Sequence, residues 1–172
     1  MIRMLAISAA VLTLSACSSI PAGGGPATVS VPMSHYSGTW LEIARRPMMI
    51  THNCVAGYTT YTPGADGDIA IEDGCHKDIP NGKLKTITGD GTLTDAGGAN
   101  AKLRVKYPLF ITRDYWVLYE APDHSWFISS DPAMGDLYIY ARSVPSDALR
   151  AEMTAKAKSL GYDVTKLEYP AQ

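Results

Sequence analysis

The sequence predicts an all-β domain: an eight-stranded antiparallel up-and-down β-barrel followed by one C-terminal helix. Three observations carry that prediction. From Tyr36 onward the chain falls into short runs rich in β-branched and aromatic residues, with apolar and polar positions alternating. Clusters of Gly, Pro, Asp and Asn separate these runs at short intervals, so consecutive runs join as an antiparallel meander. After Pro145 the spacing changes once, to that of a helix. A sheet of this many antiparallel strands removes its exposed edges by closing on itself.

The first residues read as an export signal. Arg3 supplies a positive charge, and MLAISAAVLTL is an apolar core of about eleven residues, too short to span a bilayer as a permanent helix. Residues 1–16 are expected to be a signal peptide. Leu14-Ser15-Ala16-Cys17 resembles the lipobox of bacterial lipoproteins. That resemblance implies that Cys17 is lipidated and becomes the new N-terminus, and Ser18 after it implies the outer membrane. SSIPAGGGPATVSVPM, rich in Gly, Pro, Ser and Ala, has no apolar periodicity, so residues 17–34 are expected to be a lipidated N-terminus and flexible tether. The folded domain is then expected over 35–172. A formal net charge of −2, with both signs dispersed, leaves no electrostatic footprint for a nucleic acid. Beyond the signal, no stretch carries the 18 consecutive apolar residues of a membrane-spanning helix.

The strands are expected at 39–46, 54–62, 68–76, 83–94, 100–107, 114–121, 125–130 and 136–142. PGADG, IPNG, DAGG, APDH and DPAMG punctuate them. In PSDALRAEMTAKAKSLG, Pro145 stands near a helix start, Asp147 falls in the first turn and Gly161 is a stop. Leu149, Met153, Ala157 and Leu160 share one face of that helix, which is expected to pack on the barrel wall. Lys166 to Tyr169 is a candidate edge strand.

Gly38-x-Trp40 at the head of the first strand resembles the lipocalin signature, and two further landmarks stand in order. Arg113-Asp114-Tyr115 resembles the family's TDY turn before the sixth strand, and Arg142 closes the eighth strand ahead of the helix. The chain is most similar to bacterial outer-membrane lipoprotein lipocalins, whose first strand reads like GTWYEIAR; here Leu41 replaces the tyrosine and Arg113 the threonine. The resemblance implies that Gly38, Trp40 and Arg142 close the barrel floor, with the arginine lying on the indole. It also implies which strand faces point inward. Trp40, Glu42 and Ala44 form one inward set, Tyr115, Val117 and Tyr119 another, and Tyr138, Tyr140 and Arg142 a third, joined by Thr59 and Tyr61. The candidate ligand-binding residues are accordingly Thr59, Tyr61, Tyr115, Val117, Tyr119, Tyr138 and Tyr140. The implied partner is a fatty acid or lysophospholipid, with the membrane reached through lipidated Cys17. The alternative is a structural or stress-related envelope protein with a filled barrel and protein partners.

With Cys17 lipidated, Cys54 and Cys75 remain. A constant-sum pairing around PGADG sets them opposite one another, and in an oxidising compartment a disulfide is the default. His52, Cys54, Cys75 and His76 also lie close in that register, but His76 points away from Cys75, which works against a zinc site. The chain carries no G-x-S-x-G, no H-E-x-x-H and no paired-glycine phosphate loop. The reading is a binding protein without a cofactor, not an enzyme.

Overall fold

The computed structural model describes residues 24–172. The expected signal peptide and Cys17 lipid anchor lie outside the described residues. Eight strands follow one another: β1 (Gly38–Arg45), β2 (Cys54–Pro63), β3 (Ile69–Lys77), β4 (Leu84–Leu93), β5 (Lys102–Lys106), β6 (Thr112–Glu120), β7 (Trp126–Ser130) and β8 (Leu137–Ala141). Each pairs antiparallel with the next, and β8 returns to β1 through Leu41↔Ala141 to Arg45↔Tyr138, closing the barrel. Every expected strand is present, with ends within a few residues of those read from the sequence.

Helix α1 (Asp147–Ser159) starts where Ser146 accepts a hydrogen bond from the Leu149 amide and is followed by Gly161 at φ +91°. Met153 and Ala157 are fully buried against the outer barrel wall, among Ile43, Trp126, Ile128 and Ile139, with Leu149 and Leu160 flanking them. Burial of Met153 alone contributes about 1.5–3 kcal/mol. The amphipathic face is thus consumed by packing.

Three β-bulges shift the alternation, and each corrects an expectation. Between Glu42 and Ala44 the register slips, so Ala44 joins the outer cluster under α1 while Arg45 turns inward beside Glu42. A second slip between Val117 and Tyr119 sends Tyr119 outside, against Trp126 and beneath the Lys156 ammonium. The first hairpin is set in another register by its turn: Pro63 pairs with Ile69 and Tyr61 with Ile71, not Tyr61 with Asp68, and the third bulge, between Val55 and Tyr58, leaves Cys54 opposite Lys77, not Cys75. Arg113-Asp114-Tyr115 is not a turn but lies within β6, where Asp114 pairs with Arg104 at 2.7 Å on the outer face.

Both ends of the described segment are built into the barrel. Val29 and Val31, expected in a tether, donate backbone hydrogen bonds to Val117 and Ala99, and Val31 is buried in the inner core. The folded part therefore begins ahead of residue 35. At the other end, β1 and β2 stay paired only from Gly38 to Leu41. The gap beyond is filled by the C-terminal segment: Arg45 and Glu168 exchange backbone hydrogen bonds, the Ala56 amide donates to Ala171, and the Gln172 side chain donates to Glu42. The edge strand expected at 166–169 is reduced to the single bridge at Glu168.

Candidate ligand chamber

The floor is built first, because it decides where the interior can open. Gly38 sits at φ +73°, a conformation that a side chain makes costly. Trp40 is 0% exposed; its indole N–H donates to the His35 carbonyl at 3.0 Å and its ring meets Phe127 edge-on. The Arg142 guanidinium lies 3.4 Å above that ring and also donates to the Thr39 carbonyl. His35 and Tyr36, on a short 3-10 turn before β1, complete the plug: the His35 imidazole pairs with Glu120 at 3.0 Å and the Tyr36 hydroxyl donates to Asn100. Burial holds the His35 pKa below its ordinary 6.5, only partly offset by Glu120.

Above the floor a chamber of about 320 Å³ opens toward the β1–β2, β3–β4 and β5–β6 loops. Four inward tyrosines, Tyr107, Tyr115, Tyr138 and Tyr140, stand in its wall. Tyr138 stacks on Tyr140 and meets Tyr115 edge-on. Burial raises the pKa of Tyr115, Tyr138 and Tyr140, so all three present neutral hydroxyls. A shallower groove of about 560 Å³ lies on the outer wall among Thr60, Glu72, Thr88, Asp90 and Lys106, but the inner chamber has the enclosing walls of a small-molecule site.

Two acidic centres face the chamber. Glu42 pairs with Arg45, whose Nε also meets Glu168 at 2.6 Å and whose Nη2 reaches the carbonyls of Thr51 and Cys54. Every nitrogen of that guanidinium is engaged. Burial raises the Glu42 pKa against the opposing pull of Arg45. Asp73 accepts hydrogen bonds of 2.6 Å from Thr59 and from Tyr107, and burial raises its pKa as well. At the rim stand Lys85 and Arg113.

Of the residues read from the sequence, Thr59, Tyr115, Tyr138 and Tyr140 line this chamber. Tyr61 and Val117 lie in the packed inner core with Trp40, and Tyr119 is outside the barrel. Cys54 and Cys75 are joined as a disulfide, Cα atoms 5.4 Å apart, and border the chamber near its mouth. The bridge engages both sulfurs, and His76 instead meets the Gly82 carbonyl, so that residue set does not converge on a metal. Arg45, Asp73 and Tyr107 were not read as site residues. For Asp73 a signal existed: it shares the parity of Ile69, Ile71 and Cys75, all of them buried.

A plugged floor, an eight-stranded wall and an open mouth define a calyx-type barrel of the kind that holds small molecules. The model of the lipocalin-like domain matches residues 31–172, and the chain belongs to the lipocalin family. Temperature-induced lipocalin-1 of Arabidopsis thaliana is 33% identical over 149 residues, covering 81% of this chain and 78% of its own. Insecticyanin from the tobacco hornworm Manduca sexta superposes with a TM-score of 0.65 at 17% identity, covering 86% of this chain and 84% of that one. The amine binding protein of Rhodnius prolixus, in its tryptamine complex, gives 0.58 at 17% identity over 84% and 85%.

Proposed function

We propose that this lipocalin takes a small apolar or amphiphilic molecule, a fatty acid or lysophospholipid, into its barrel for transport, storage or envelope maintenance. It does so as a lipoprotein held at the bacterial outer membrane through lipidated Cys17, and it binds without catalysing a reaction. The observation that carries this reading is the chamber itself: about 320 Å³, walled by tyrosines, at the lower end of the roughly 300–1,000 Å³ span of small-molecule pockets. The rim supports an amphiphile. Met49 is 95%, Leu109 87% and Phe110 103% exposed, an apolar lip around the mouth with Lys85 and Arg113 beside it. The tryptamine complex of a fold neighbour is consistent with a small organic ligand.

The test is mass spectrometry of whatever co-purifies from the native membrane, followed by titration of the delipidated protein with fatty acids and lysophospholipids of several lengths. Saturable binding near micromolar dissociation constants, about −8 kcal/mol, is expected. No saturable binding of any of them would favour the filled, structural barrel instead.

A further inference from the structure

Asp73 is a group that an acyl chain entering tail first, with its carboxylate at the Lys85 and Arg113 rim, does not use. It stands low in the chamber, since its partner Thr59 pairs across the sheet with the floor residue Trp40. Its two oxygens receive only neutral donors, Thr59 on one and Tyr107 on the other. Each hydroxyl has a single proton. Thr59 and Tyr107 spend theirs on Asp73; the Tyr115 hydroxyl, 3.2 Å from that of Tyr107, extends one hydrogen-bonded chain, and the Tyr140 hydroxyl lies 3.3 Å from Thr59.

No cation balances it. Among the described residues, no Lys, Arg or His forms an ion pair with Asp73. The inward guanidinium, Arg45, is already shared between Glu42 and Glu168. Lys85 and Arg113 stand at the mouth, where Lys85 donates to the Ile50 carbonyl. Burial without a cation raises the Asp73 pKa, and an ammonium at hydrogen-bond distance would draw the group back to its charged form; the aromatic faces around it, whose quadrupoles attract cations, favour the same ligand.

We propose that Asp73 and the tyrosines around it form a subsite for an organic ammonium group, so that the preferred ligand enters with a cationic head inward and its apolar part toward the lip. The subsite rests on the chamber being a ligand site. The ammonium can belong to a free alkyl or aryl amine or to the head group of a lysolipid; the recognition chemistry is the same. An ammonium placed there gains the charge partner that Asp73 lacks, whereas a carboxylate placed there meets a like charge.

The experiment is isothermal titration of the purified, delipidated full chain at pH 7 with octylammonium, octanol, octanoate and an octanoyl lysophosphatidylcholine. The first three share one tail and differ in charge. Octylammonium is expected to bind about tenfold or more tighter than octanol, the scale of one hydrogen bond to a charged group, and octanoate more weakly still. Asp73→Asn should abolish the ammonium preference, so that octylammonium and octanol bind that variant with matching affinity. Tyr107→Phe, which removes a neutral donor and leaves the charge, should retain the preference; it also serves should Asp73→Asn fail the circular-dichroism folding control. Tighter binding of octylammonium alone identifies a free amine, and matching affinity of the lysolipid identifies a lipid head group. Octanoate binding as tightly as octylammonium at pH 7, or an ammonium preference that survives Asp73→Asn or vanishes in folded Tyr107→Phe, overturns the subsite and leaves the carrier reading standing. Binding of none of the four overturns both.

Discussion

Removing the Cys54–Cys75 bridge gives a perturbation whose size follows from the chain. The cysteines are separated by 21 residues in sequence and tie the open end of the first hairpin near the chamber mouth. Closing a loop of that length removes unfolded-state entropy equivalent to roughly 3 kcal/mol in the chain-entropy model. In a domain of this size one kcal/mol moves the melting temperature by about 2–4 °C, so reduction should lower it by roughly 6–12 °C. The closed barrel keeps its ladder and its floor at Trp40, so the reduced protein should still melt cooperatively. Thermal circular dichroism with and without reductant measures the shift, and Cys54→Ala/Cys75→Ala checks it in the absence of thiols. A shift below about 2 °C would show that the hairpin ladder already imposes the constraint and that the loop-entropy reasoning fails here. Peptide mapping that finds both cysteines alkylated in non-reduced, exported protein would remove the bridge altogether.

Three further outcomes are expected. Cys17→Ser should move the protein from the membrane pellet to the soluble fraction, because stable anchoring needs more than one acyl chain; persistence in the pellet after a salt wash contradicts the lipoprotein reading. Arg142→Ala removes the cation over Trp40 and the bond to the Thr39 carbonyl, and should cost about 1–2 kcal/mol in urea unfolding, with Arg142→Lys recovering part of it. An unchanged midpoint would show that the indole alone closes the floor. Because burial depresses His35 below 6.5, the folded chain binds fewer protons than the unfolded chain just under that pH, and stability should fall as pH drops from about 6.5 toward the lower folded value. His35→Phe should flatten that limb, and coincident profiles of the two proteins would refute the assignment.

The strands and the helix were legible because both rest on local periodicity. Turn residues marked five of the seven connections between strands, and Leu149, Met153, Ala157 and Leu160 announced the face that packs on the wall. The floor was legible through the family resemblance that Gly38-x-Trp40 and Arg142 carry, and the structure places all three there. Facing was less so. One extra residue in a strand reverses everything beyond it, and the bulges at Glu42/Ala44 and Val117/Tyr119 carry no local mark, so Ala44 and Tyr119 were placed on the wrong side and Arg45 was overlooked. Asp73 escaped for a different reason. A carboxylate in an alternating strand reads as solvent-facing, and only the hydroxyls of Thr59 and Tyr107, brought from two other segments of the chain, make its inward position tolerable.

The C-terminal segment that fills the gap between β1 and β2 makes the electrostatics of the chamber depend on residues outside it. Glu168 supplies one of the two carboxylates that hold Arg45, and Gln172 and Ala171 fasten the same seam through Glu42 and Ala56. A chain cut ahead of Glu168 leaves the guanidinium with Glu42 alone and opens a row of backbone groups beside it. Ligand preference then becomes sensitive to proteolytic trimming or to a purification tag fused at this end, with every chamber residue intact. Binding measured on such a chain reports a less acidic cavity than that of the intact barrel, so an affinity tag is better removed, or inserted in an exposed loop on the floor side such as Gly64–Asp68.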